Sequence, residues 1–209
     1  MSSTKQTTLL LGAGTLGREI AMLFGERAWA FIDPHFPEPQ WHGIPVYRDF
    51  DNLPAALRTA PYIAAVAETA LKRRLDEEAL AAGHHAAAPL VHENAYVHQT
   101  AELGAGTVLY PMTVVSHSAV IGRCAQISFH CSVAHDVVFG DHVTLSPHVA
   151  ISGNVRLGHR VFCGTNVAVR EKLTVGDDSR VGMGVSLVES LPPRTNALAQ
   201  TKLIKFPSE

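Results

Sequence analysis

Residues 115–145 read VSHSAVIGRCAQISFHCSVAHDVVFGDHVTL, and an apolar residue stands at every sixth position: Val115, Ile121, Ile127, Val133, Phe139 and Leu145. The register extends back through Leu109, Leu103, Val97 and Val91 and forward through Ile151, Leu157, Cys163, Val169, Val175, Val181 and Leu187. A second stripe of smaller residues precedes it by two positions: Ala119, Ala125, Cys131, Val137, Val143, Val149, Val155, Val161 and Val167. Neither the 3.6 period of a helix nor the two-residue period of a plain strand produces this pattern. A hexapeptide β-helix does, because each six residues supply one short strand and one corner, and three such units close a triangular coil. Gly104, Gly122, Gly140, Gly158 and Gly176, spaced eighteen apart, are then expected to stack along one corner, where a backbone turn favours a residue without a Cβ.

The register also sorts side chains. The sixth-position residues and their small companions point into the prism, which makes Cys131 and Cys163 core thiols rather than nucleophiles. The three cysteines of the chain include no CxxC pair, so no disulfide framework is expected. His135 stands two residues after an inward position, hence on the outer surface, with Asp136 beside it. One coil before it lies His117 and one coil after it Gly153, each roughly 4.8 Å away by strand spacing.

The first half of the chain has a different grammar. TTLLLG, residues 7–12, reads as a buried strand running into Gly12-Ala13-Gly14-Thr15-Leu16-Gly17 and the helical stretch REIAMLF. A second strand, WAFID, ends at Asp33, and a third, YIAAVAE, leads into the helix ALKRRLDEEALAAG. Strand, glycine turn, helix and an acid about twenty residues on is the arrangement of a dinucleotide-binding unit. Its glycines let backbone N–H groups and a helix N-terminus approach a phosphate. The unit is only half of a full dinucleotide fold, which favours a single nucleotide or a nucleotide-sugar. Gly12, Gly14, Thr15 and Asp33 are the candidate substrate-binding residues. The glycines also suit close helix-to-strand packing with no ligand at all.

Seventeen basic against nineteen acidic residues, a formal net charge of −2, argues against a nucleic-acid or membrane-surface partner. Lys72-Arg73-Arg74 reads as the solvated face of a helix. The N-terminal stretch MSSTKQTTLLLGAG lacks the pattern of a signal peptide, and no apolar run reaches membrane-spanning length. A cytoplasmic location is expected. The domain reading is 1–88 for an α/β, Rossmann-like unit, 89–190 for the β-helix, and 191–209 for a C-terminal tail.

A small Rossmann-like unit followed by hexapeptide repeats resembles one family: the sialic acid O-acetyltransferase and UDP-amino-sugar N-acetyltransferase group, often called NeuD/PglD-like. The resemblance rests on LLGAGTLGREI and FID in the first part, then SVAHDVVFGDHV, SGNVRLGHRVFCGTNVAV and GDDSRVGMGVSLV. It implies a left-handed parallel β-helix, a homotrimer, and acetyl-CoA as acyl donor in the groove between neighbouring prisms, with no metal. It further implies that His135 is the general base and Asp136 its supporting acid, and that the backbone at Gly153 contacts the thioester end. Pantetheine would pair with the backbone near Gly164 and Gly182. The chemistry is coherent, since a sugar hydroxyl or amine must lose a proton as it attacks a thioester, and histidine suits that task near neutral pH. Members of the family often end in Gly-x-Pro-Ala-Lys; here the tail reads TNALAQTKLIKFPSE, so either Lys202 or Lys205 takes the place of that lysine or the coenzyme is held differently. The asparagine common before the catalytic position is replaced by the run ISFHCSVAH.

Two other readings compete. His130 and His135 have the HxxxxH spacing of γ-type carbonic anhydrases, whose zinc needs a third histidine; the position two coils before His130 holds Asn94. A non-catalytic trimer that only binds a nucleotide-sugar is the other. His98, His117, His142, His148 and His159 read singly as solvated surface residues.

Overall fold

The computed structural model describes residues 6–25 and 27–199. The apolar runs TLLL and WAFI form β1 (Thr8–Leu11) and β2 (Trp29–Ile32), both buried along their whole length, as parallel strands covered on both faces must be. β1 pairs in parallel with β2 on one edge and with β5 (Pro61–Ala64) on the other. Beyond β2 lies β4 (Ile44–Tyr47), in antiparallel pairing with β3 (Gln40–Trp41), and beyond β5 lies β6 (His85–Ala86). The two-residue period of the strands divides the core. Leu10, Phe31 and Ile63 pack with Ile20 and Ala21 of α1 (Thr15–Leu23), whereas Leu9, Leu11, Ala30 and Tyr62 pack with Ala79 of α2 (Thr69–Ala81). The β3–β4 pair and β6 are additions to the three strands expected from the sequence.

From Leu90–Val91 to Asn196–Ala197 the chain forms two-residue strands in three parallel sheets of seven, six and five, a parallel β-helix with partners eighteen residues apart. Val133, for example, is paired with Val115 below and Ile151 above. Every sixth residue from Leu109 to Leu187 is buried, and so is the whole smaller stripe. Val91 is 40% exposed and Val97 and Leu103 are half-buried, because the first coil has no coil beneath it to cover its interior. The stack also runs past residue 190, where the tail was expected to begin: Asn196–Ala197 pairs with Arg180–Val181.

The five corner glycines stack as expected, but for another reason. None of them has a positive φ. The left-handed residue falls two places later, at Cys124, His142, Arg160 and Asp178 on that corner, with φ between 51° and 62°. What excludes a side chain at the glycine is the following coil: a Cβ on Gly140 would lie 2.6 Å from the backbone nitrogen of His159.

The first sheet of the prism turns its outer face to the N-terminal unit. Leu90, Val108 and Tyr110, with Phe129 at the adjoining corner, pack into the same cluster as Leu10, Phe31 and Ile63. No helix among the described residues is long and apolar enough to cross a membrane.

Candidate active site

His135 and Asp136 occupy the turn that follows the second-sheet strand Ser132–Val133. Asp136 takes the left-handed conformation, φ 58°, which aspartate tolerates better than most residues. The turn brings the Asp136 carboxylate to 2.8 Å from His135 Nδ1, and both side chains are about half exposed. An ionised carboxylate only accepts hydrogen bonds, so the proton of the neutral ring is on Nδ1 and Nε2 is left with its lone pair free. Beneath the ring lies Gly153, where an added Cβ would come within 2.7 Å of both Nε2 and Cε1 of His135. The glycine therefore makes the room in which the basic nitrogen sits. Gly153 itself is buried, and its N–H donates to no group among the described residues.

The remaining candidate residues are spread over two other places. Gly164 and Gly182 stack at the corner after the first sheet, one strand away from the His135 corner, and a Cβ on Gly164 would meet the backbone nitrogen of Met183 at 2.7 Å. Lys202 and Lys205 lie outside the described residues. His130 stands at that same first-sheet corner, its ring stacked on His148 with centroids 4.9 Å apart. His130 and His135 thus occupy successive corners of one coil.

In the N-terminal unit, Gly12 has φ 112°, a conformation open to glycine alone at low cost. Gly14 is the N-cap of α1 without any side-chain cap, and a Cβ there would meet nothing within 4 Å. Thr15, the first helical residue, is exposed beside it. Asp33 is committed to the backbone: Ala13 N–H donates to one oxygen at 2.8 Å and His35 N–H to the other at 2.9 Å. It ties the glycine loop to the end of β2. Past it opens a cleft of about 230 Å³ lined by Asp33, Phe36, Tyr47 and Arg48 among others.

A third cluster was not expected. Lys72, read from the sequence as part of a solvated face, is fully buried, with its ammonium 2.6 Å from Thr144 Oγ1. One turn along α2, the buried carboxylate of Asp76 accepts from Tyr62 Oη, Arg123 Nη2 and Cys124 Sγ on one oxygen and from His142 Nε2, 2.8 Å away, on the other. His142, also expected at the surface, is buried, and its Nδ1 has no partner among the described residues. Burial alone would raise the Asp76 pKa, but hydrogen bonds from His142, Tyr62 and Cys124 and the charge of Arg123 hold it below the usual carboxylate range. Burial lowers Lys72 to about 7 and pushes Cys124 up to about 12. The ligand atoms of Asp76, Cys124 and His142 lie within 4.8 Å of one another, yet the carboxylate is already saturated by donors and an arginine sits on it. This is a seam joining α2 to the prism. A charged run on an amphipathic helix carries no signal of which charge a neighbouring domain will cover. Burial likewise raises the Cys131 and Cys163 thiols, to about 11 and about 12, as inert core thiols should be.

No protein-family model matches the chain, and no curated protein does. Solved structures do. The acetyltransferase domain of PglB from Neisseria gonorrhoeae, in complex with acetyl coenzyme A, is 26% identical, with a TM-score of 0.83 over 92% of this chain and 95% of that one. A single-histidine variant of perosamine N-acetyltransferase from Caulobacter crescentus, in complex with CoA and GDP-perosamine, is 25% identical, with a TM-score of 0.82 over 91% of this chain and 92% of that one. WeeI from Acinetobacter baumannii is 26% identical, with a TM-score of 0.82 over 91% and 95%. A prism of hexapeptide coils fused behind a small parallel-sheet unit is the architecture these proteins share. Aligned with sugar acetyltransferases over nine-tenths of its length, the chain is an acetyltransferase.

Proposed function

We propose that the enzyme transfers the acetyl group of acetyl-CoA to a hydroxyl or amine of a sugar or nucleotide-sugar, with His135 as general base. The observation that carries this reading is the geometry at one corner: an exposed imidazole with Nδ1 on Asp136 and Nε2 lying over a glycine. The acceptor's O–H or N–H would give its proton to His135 Nε2 as it attacks the thioester carbon. The oxyanion that forms would be met by the Gly153 N–H, a fixed donor with no side chain in front of it. Collapse would expel the thiolate of coenzyme A, and the imidazolium would return the proton to it. Asp136 would hold the ring and stabilise its charged form throughout.

The acyl donor is supported by neighbours solved with acetyl-CoA or CoA, and the acceptor class by one solved with GDP-perosamine. We assign the acceptor's nucleotide to a Rossmann-like unit, residues 1–88, at the bare N-terminus of α1 beside Gly12, Gly14 and Thr15, with Asp33 holding the loop in place. The prism, from residue 89 through its last paired strand Asn196–Ala197, would be the left-handed prism of a homotrimer. Pantetheine would run along the neighbouring corner past Gly164 and Gly182. The prism offers one face suited to the trimer contact. Its first sheet is covered by the N-terminal unit at Leu90, Val108 and Thr144 and exposes the charged Arg180 further along, and its third carries Glu102 and Arg156 outward. Its second presents Tyr96, Val114, Ser132, Ala150, Ala168 and Ser186, all exposed and all uncharged.

Thermal-shift measurement against acetyl-CoA and UDP-, GDP-, CMP- and TDP-sugars tests the reading, since a ligand that binds only the folded state raises Tm by mass action. Stabilisation by acetyl-CoA and by one sugar class, followed by thiol release when both are present, is expected. A protein unmoved by every one of them is not this transferase.

A further inference from the structure

The hydrogen bond to Asp136 holds one atom of the His135 ring but leaves the ring plane free to swing, and the side chain is 49% exposed. Of its two neighbours along the corner, Gly153 offers no side chain. The other is His117, whose ring lies parallel to that of His135, with centroids 5.3 Å apart and an interplanar angle of 9°. His117 is itself braced. Its Nδ1 is 3.4 Å from Ser118 Oγ, and the His98 ring meets it edge-on at 5.9 Å and 72°. His98 Nδ1 is bonded to Thr100 Oγ1 at 2.9 Å, and that hydroxyl oxygen accepts the Ser118 N–H at 3.1 Å. Three successive coils thus form one stack that ends on the His135 ring.

We propose that His117 is a positioning residue for the acetyl transfer: it fixes the plane of the His135 imidazole by stacking, so that Nε2 stays over Gly153. The role needs a flat ring and not a second titrating nitrogen, because no atom of His117 bonds to His135 or Asp136 through its side chain among the described residues. The proposal rests on His135 being the base.

Three substitutions separate the possibilities. His117→Ala should lower kcat about 3- to 10-fold with KM for either substrate unchanged, the range set by the worth of one aromatic stack. His117→Phe, which keeps the flat ring, should restore most of that loss, whereas His117→Leu should not. In the long-range ¹⁵N–¹H spectrum of the trimer, the His135 ring should give one sharp Nδ1–H tautomer in the wild type and in His117→Phe, and a broadened or averaged signal in His117→Ala. Wild-type kcat in His117→Ala would overturn the proposal, as would Leu rescuing as well as Phe, or Phe failing to rescue. Full activity in His135→Ala would instead remove the base assignment, while the His135 spectrum would still report whether the stack orders that ring.

Discussion

At the scale of single residues, the proposed catalysis rests on two atoms, the His135 Nε2 and the Gly153 N–H, and each can be tested without disturbing the core. His135→Ala should lower kcat by roughly 10²–10⁴, the usual worth of a positioned base, with Tm nearly unchanged because the side chain is half exposed. Asp136→Asn keeps the imidazole and should cost less. Gly153→Ala is the sharper test. Gly153 is not among the residues with positive φ, so alanine suits its backbone, but the new methyl would fall 2.7 Å from Nε2 and must push the ring aside. Circular dichroism and Tm should stay close to wild type while kcat falls by at least tenfold. An active Gly153→Ala enzyme would mean that Nε2 does not work from the position seen here.

Among the elements, α2 bears most on how the two halves stay together. Asp76 is held by Tyr62, Arg123, Cys124 and His142, so Asp76→Ala leaves buried donors and an unpaired charge behind. A loss of about 3–5 kcal/mol is expected on denaturant unfolding. Lys72 sets a pH dependence. Its folded pKa of about 7 lies below the ordinary 10.5, so between those values the unfolded chain binds more protons than the folded one, and stability rises with pH. The thiols, raised from 9.0 by burial, act in the opposite sense only at higher pH. Unfolding free energy measured from about pH 7 to 8.5 should therefore increase, and Lys72→Met should flatten that slope. An unaltered slope in the variant would place the titrating group elsewhere.

For the whole molecule, the proposed catalytic corner is half open in one chain, and the proposed trimer would close it. Ala150→Arg puts a long charged side chain at the middle of the uncharged second-sheet face, where Ala150 is exposed. We expect sedimentation to show a folded monomer with no transferase activity. A variant that remains trimeric would move the subunit contact to another face.

The six-residue register alone decided the prism, its buried stripes and the outward place of His135, because a β-helix repeats one environment every six residues and the hydrophobic effect writes that repeat directly into residue type. The glycine loop and the strand–helix order of the N-terminal unit were legible for a similar reason: local backbone demands select local residue types. The place of His117 one coil from His135 followed from the eighteen-residue spacing, but the stacking of the two rings did not. What only the tertiary structure decided lies between repeats and between halves. The corner glycines owe their identity to the next coil rather than to their own φ, Asp33 spends both oxygens on backbone N–H groups, and Lys72 and His142 are buried by a packing of α2 on the prism that joins residues 66 to 72 positions apart. Contacts of that range depend on how two finished surfaces meet, and no periodicity within either segment encodes them.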